Sequence, residues 1–227
     1  MEESVTSLTQ TPIPTDTLAA ASSTEKVVEW LTIGGPVVWI LMLFSVIALT
    51  ITLYKVWQYS ALGVWRYNTP AKYLSELGKG KAIASRIQAS RHPVVKVMAT
   101  ALDHNANIKP DSPLLREEIQ RVAAEQLQSL RAMLKPLELI AALSPLLGLL
   151  GTVLGMITAF QQLESLGSQV DPSALSGGIW QALLTTAVGL IVAIPALIAH
   201  NWFERTIEIC GHHMGDSVTR LFTTQPS

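Results

Sequence analysis

Three long runs without a charged residue break up an otherwise mixed chain: Leu31 to Tyr54, Leu139 to Leu163, and Ile179 to Phe203, the last with only His200 as a titratable group. A helix needs about 20 apolar residues to cross ~30 Å of hydrocarbon, because in lipid every backbone N–H and C=O must be paired within its own segment. Each run is therefore predicted to be a transmembrane helix, which makes the chain an all-α membrane protein. The first run follows a long polar segment with no short basic region or small-residue cleavage site, so it reads as a retained anchor and not a signal peptide.

Polarity is patterned inside the second and third runs. At ~100° per residue, Ala141, Ser144, Pro145, Gly148, Gly151, Thr152, Gly155, Ala159 and Gln162 share about a third of the helix circumference. Leu146, Leu147, Leu149, Val153, Leu154 and Ile157 cover the rest. In the third run Gly178, Ala182, Thr185, Gly189, Ala193 and Ala196 share one sector, flanked by Gln181 and Thr186. Small faces let backbones approach closely, and Gly151 with Gly155 forms a G-x-x-x-G pair. Such faces either join the two helices within one chain or meet another chain. The hydroxyls of Thr152, Thr185 and Thr186 either bond their own helix backbone or serve a polar pathway.

Between the first two spans the apolar residues recur at helical spacing. Ser112 and Pro113 read as an N-cap and a first-turn proline, followed by a stripe of Leu115, Ile119, Val122, Leu127, Leu130 and Leu134. Continued through Pro136 into the second span, this helix would be ~75 Å long at ~1.5 Å per residue; alternatively Pro136 kinks it. Shorter helices are expected over Pro70 to Ala89 and Pro93 to His104, and a brief interfacial helix over Glu25 to Leu31. The first 23 residues are too rich in Ser, Thr, Pro and Ala to bury a core.

Charge fixes the orientation. Of the 16 Lys and Arg residues, 13 lie between Lys55 and Lys135, Arg205 and Arg220 follow the third span, and only Lys26 precedes the first. Basic residues stay on the cytoplasmic side during insertion. The predicted plan is an external N-terminal extension (1–30), span 1 (31–54), a cytoplasmic helical loop (55–136), span 2 (137–163), an external loop (164–178), span 3 (179–203) and a cytoplasmic tail (204–227). Retention on that side is reason enough for most of the basic residues, with contact to membrane lipid a lesser role; a net charge of -1 gives no footprint for nucleic acid.

Composition removes other classes. Charged residues make up 15% of the chain, below the ~25% of soluble domains. A single cysteine, Cys210, excludes an internal disulfide, and no cofactor or metal is expected. His212 and His213 beside it are adjacent, and neighbouring residues do not share a helix face as metal ligands do. Nothing indicates an enzyme. From Leu139 to Leu163, and in the third span up to His200, no side chain can carry a proton near neutral pH. Proton channels need an intramembrane ionisable group facing a cavity. Either the protein is passive, or its polar faces surround a helix of another protein that brings that group.

Two segments bear on this choice. Leu146 to Phe160, LLGLLGTVLGMITAF, and Gly177 to Asn201, GGIWQALLTTAVGLIVAIPALIAHN, resemble the ExbB/TolQ/MotA proton-channel family, and the resemblance extends over about residues 30 to 210. It implies a homo-oligomeric, pentameric ring in the bacterial inner membrane whose second and third spans line a central pore. That pore would hold an ExbD- or TolR-like single-span partner with one intramembrane aspartate. By motif, Thr152 and Thr186 correspond to the pore threonines facing that aspartate, so the resemblance makes Thr152, Gln181, Thr185 and Thr186 the pore lining. Gly148, Gly151, Gly155, Gly189 and Pro195 are expected at helix packing positions. Relatives carry glutamate where this chain has Gln181, which keeps the hydrogen-bonding shape without the charge. MotA-type members have a fourth span, absent here. The implied function is an ExbB-like motor subunit driving a TonB-like protein; the alternatives are a TolQ-like envelope motor and a static membrane scaffold.

Overall fold

The computed structural model describes residues 34–65, 87, 90–105, 112–166 and 172–224. All regular structure among them is helical: α1 Gly35–Leu62, α2 Pro93–Asn105, α3 Pro113–Arg131, α4 Leu134–Leu166 and α5 Pro172–Thr224. The expected N-terminal extension with its interfacial helix, and the helix over Pro70 to Ala89 apart from Ile87, lie outside the described residues. Three of the helices, α1, α4 and α5, are long and apolar enough to cross a membrane. This is a membrane protein.

Each of the three spans runs past a bound drawn from hydropathy. α1 continues from Tyr54 to Leu62, ending where Gly63 takes a left-handed φ of 67° and its N–H returns to the Ser60 carbonyl at 3.1 Å. That backbone state costs glycine least. On the opposite side, α4 reaches Leu166 and α5 begins at Pro172, so helix replaces most of the expected loop over 164–178. Hydropathy locates the apolar stretch; the helix goes on wherever its hydrogen bonds are still satisfied.

The longest helix differs from the one expected. α3 stops at Arg131, and Met133 adopts a φ of 65°, a left-handed state that a non-glycine residue seldom holds. The chain thus breaks ahead of Pro136, which lies inside the first turn of α4, where a missing N–H costs nothing. The uninterrupted rod is α5, whose 53 residues reach ~80 Å at ~1.5 Å per residue. The expected tail over 204–227 is its second half as far as Thr224.

A heptad explains that half. Phe203, Ile207, Cys210, Met214, Ser217 and Leu221 are all buried, at alternating spacings of four and three. This stripe packs against Val94, Val97, Met98 and Ala101 of α2 and against Leu115, Ile119 and Leu130 of α3. At the head of α3, Ser112 holds the cap position, but its carbonyl, not its hydroxyl, meets the chain, accepting the Leu115 N–H at 3.1 Å. The resulting bundle of α2, α3 and the second half of α5 continues without a gap into the three spans, and one apolar core runs through both.

Candidate functional site

α4 and α5 form the most extensive helix pair in the molecule, with α1 lying more sparsely against both. The small-residue faces make this possible. Ala141, Ser144, Gly148, Gly151, Gly155 and Ala159 of α4 are buried, as are Ala182, Thr185, Gly189, Ala193 and Ala196 of α5. At Gly189 an added Cβ would stand 2.7 Å from the Ser144 carbonyl and 3.2 Å from the Gly148 Cα. One added to Gly148 would come within 3.1 Å of the Thr185 carbonyl and the Thr186 Cα. At Gly151 it would meet Thr185 Oγ1 at 2.6 Å, and at Gly178 it would collide with the Ala159 Cβ. Nothing larger than hydrogen fits on these glycines.

The threonines divide by position. Thr185 is buried in the seam, where its hydroxyl donates to the Ala182 carbonyl at 2.8 Å and approaches the Gly148 carbonyl at 3.4 Å. Thr186 reaches the same Gly148 carbonyl at 3.3 Å from the edge of the seam. Thr152 lies apart from both on the rim of α4, part exposed, and its hydroxyl donates to the Leu149 carbonyl of its own helix at 2.6 Å. The structure therefore brings Thr185 and Thr186 together around Gly148 and leaves Thr152 beside a free face.

Gln181 is half-buried and turned towards the first helix, where a Cβ added to Gly35 would stand 3.5 Å from its Nε2. Pro195 and Pro145 both lie inside their helices. Proline removes one backbone donor in each case, and Ser144, next to Pro145, donates its hydroxyl to the Ile140 carbonyl at 2.6 Å. Pro195 is exposed and borders a shallow cleft of about 270 Å³ between α5 and α1, which Ser45 and Thr52 also line. Its buried neighbour Ala196 lines the same cleft. His200, buried at the end of the span, has Nε2 3.8 Å from Glu204 one turn on. Over the rest of the two spans the seam is lined by hydroxyls, an amide and backbone, none of which ionises near neutral pH.

A second cluster escaped sequence reasoning. Lys55 of α1 is fully buried, and its Nζ donates to the Leu130 carbonyl at 2.9 Å and to Gln58 Oε1 at 2.9 Å. Tyr59, one turn later, donates its hydroxyl to the same Leu130 carbonyl at 3.0 Å. The Tyr59 ring meets Phe203 of α5 edge-on, with centroids 5.3 Å apart. Read as one of many basic residues held on the cytoplasmic side, Lys55 gave no signal of its own. The Phe203 heptad was readable and would have placed one member of the cluster.

Comparison with known proteins bears on these spans. The family model described as the MotA/TolQ/ExbB proton channel family matches residues 89–215. A biopolymer transport protein exbB1 of Vibrio cholerae serotype O1 is 32% identical over 155 residues, covering 60% of this chain and 68% of that protein. A putative biopolymer transport protein ExbB-like 1 of Synechocystis sp. is 34% identical over 174 residues, covering 73% of this chain and 65% of that protein. A Tol-Pal system protein TolQ of Pseudomonas aeruginosa is 39% identical over 82 residues, covering 36% of this chain and 35% of that protein.

Proposed function

The chain belongs to the MotA/TolQ/ExbB proton channel family, and from that premise we propose that it is an ExbB-like subunit of a proton-driven motor in the bacterial inner membrane. In this reading the N-terminus is external, the bundle of α2, α3 and α5 is cytoplasmic, and the protein acts with a single-span partner on a TonB-like protein. A pentameric ring surrounds the partner.

One observation carries the reading. A member of a proton channel family has two seam-forming spans without a titratable side chain from Leu139 to Leu163 and from Ile179 to Ala199. Protons cross a membrane protein along groups that can bind and release them. The carrier then comes from elsewhere, as an aspartate on the partner helix. Thr152, part exposed on the rim of α4, is the hydroxyl best placed to meet it. Thr186 and Gln181 supply polar edges, and Thr185 is buried behind them.

Proteoliposomes with an internal pH dye test this. The chain alone is expected to pass no more protons than empty vesicles. Co-assembled with a single-span protein bearing an intramembrane aspartate it should conduct, and the partner's Asp→Asn variant should not. Conduction by the chain alone would sink the proposal. A static scaffold is the second reading, favoured by the fact that the small-residue faces are already occupied within one chain; silence with every such partner, in assembled complexes, would select it. The TolQ-like alternative within the family rests on the match to the Tol-Pal protein.

A further inference from the structure

The break between α3 and α4 is unusual in its local chemistry. In a continuous helix the Leu130 carbonyl would accept the N–H of Leu134, four residues on. The turn at Ala132 and Met133, with ψ 142° at the first and φ 65° at the second, takes that donor away. The carbonyl would be left bare at the negative end of the α3 dipole, in a buried place. Lys55 and Tyr59 of α1 meet this need, 75 and 71 residues away in sequence, with bonds of 2.9 and 3.0 Å. An ammonium is the favoured partner for a helix C-terminus. No carboxylate among the described residues pairs with Lys55; Gln58 Oε1 takes a second hydrogen bond from Nζ at 2.9 Å, and the Tyr59 ring lies 5.4 Å from it. Met133 itself is 56% exposed, so packing does not hold its strained conformation.

We propose that the α3–α4 junction is a two-state hinge, held bent by a latch in which Lys55 and Tyr59 of α1 take the Leu130 carbonyl. With the latch closed, α4 takes its direction from α1 and stays independent of α3. Once it opens, the Leu130 carbonyl recovers the Leu134 N–H, Met133 relaxes to ordinary helical φ, and α3 and α4 become one rod. Lys55 and Tyr59 are thus positioning residues that decide whether movement in the α2/α3/α5 bundle reaches α4, the helix that carries Thr152. The hinge does not depend on proton conduction, so its test stands apart from that of the proposed function.

Labelling with Leu ¹³C′ and Arg ¹⁵N gives signals from the Leu115–Arg116 and Leu130–Arg131 bonds alone, because these are the two Leu-Arg steps in the chain. Solid-state NMR of the protein in bilayers then reports the Leu130 carbonyl, with Leu115 as internal control. Lys55→Met should move the Leu130 signal and leave Leu115 in place. Ala ¹³C′ and Met ¹⁵N labelling isolates the Ala132–Met133 bond, the one Ala-Met step; its shifts should pass from the turn to the helical range. Exchange of the Leu134 amide should slow about tenfold, as expected for a gained helical hydrogen bond. Lys55→Arg, which can still donate to the carbonyl, should restore the wild-type spectrum. Tyr59→Phe keeps the ring on Phe203, and should show a smaller shift of the same sign; it decides the matter if Lys55→Met fails to fold. Unmoved Leu130 and Met133 signals in whichever of these variants folds would overturn the hinge.

Discussion

Between Ser144 and Ala196 the two long spans meet through glycine, alanine, serine and threonine, whereas the Leu62 end of α1 is joined to α3 and α5 through Lys55, Tyr59 and Phe203. The contrast follows from what each place lacks. Within lipid, hydrophobic burial gives helices no reason to associate, so the seam relies on close backbone approach and its dispersion energy. At the junction a helix ends inside the protein, and its carbonyl needs a donor more than it needs proximity. The seam is therefore sensitive to added volume, and the junction to lost contacts and donors.

Deleting a large side chain at the junction should have the largest effect. Phe203 is fully buried and bridges the Tyr59 ring to the core of the α2/α3/α5 bundle. Phe203→Ala should cost about 3–5 kcal/mol, the range for truncating a buried phenylalanine. Thermal unfolding in mild detergent would measure it. A shift no larger than that of an exposed control such as Leu146→Ala would mean that the seam alone holds the spans together.

Adding volume to the seam should come next. Gly189→Val places methyl groups where even a Cβ stands 2.7 Å from the Ser144 carbonyl, and overpacking of this kind costs about 1–3 kcal/mol. Gly177 is the matched control, since nothing lies within 4 Å of a Cβ added there. The two valine variants, compared by the same melt, should differ by most of that cost. Equal stabilities would show that α4 and α5 can slide apart at little expense.

The seam was legible in sequence because it depends on residue size at a fixed helical period, and both faces were assigned from spacing alone. What spacing could not say is that the faces close on each other within one chain, with Thr185 inside and Thr152 left on the rim. The junction was opaque for a different reason. Lys55 and Leu130 are separated by 75 residues, and the partner is a backbone carbonyl, which carries no residue-type signal. The break at Met133 was hidden as well, since a left-handed residue is expected to be glycine or asparagine, and Pro136 nearby offered a more obvious place for a kink. The long α5 was missed although its heptad was present, because the charged residues Glu204, Arg205 and Glu208 on its exposed side ended the hydropathy run.

The smallest expected effect concerns the outer layer of the junction, where α2 begins beside the end of α1. His92 is buried there, and a Cβ added to Gly63 would stand 3.9 Å from its ring. Burial holds the imidazole below its ordinary pKa, His213 of α5 acts in the same direction, and the Gly63 backbone partly opposes both. The native state thus prefers the neutral ring and binds fewer protons than the unfolded chain as the pH approaches ~6.5 from above and passes below it. Stability from this contact is fully present above that value and is lost as pH falls towards the lowered native pKa. Acidification from about pH 7.5 to about pH 5.5 should therefore loosen the attachment of α2, seen as faster amide exchange over 94–100 after correction for intrinsic rates. In His92→Gln the same change of pH should have little effect, and His213→Gln should raise the midpoint of the His92 ring titration followed by NMR. A His92 midpoint at or above the ordinary value, with exchange in α2 indifferent to pH, would mean that this layer of the junction bears no electrostatic load, and would narrow the contrast with the seam to the Lys55 latch alone.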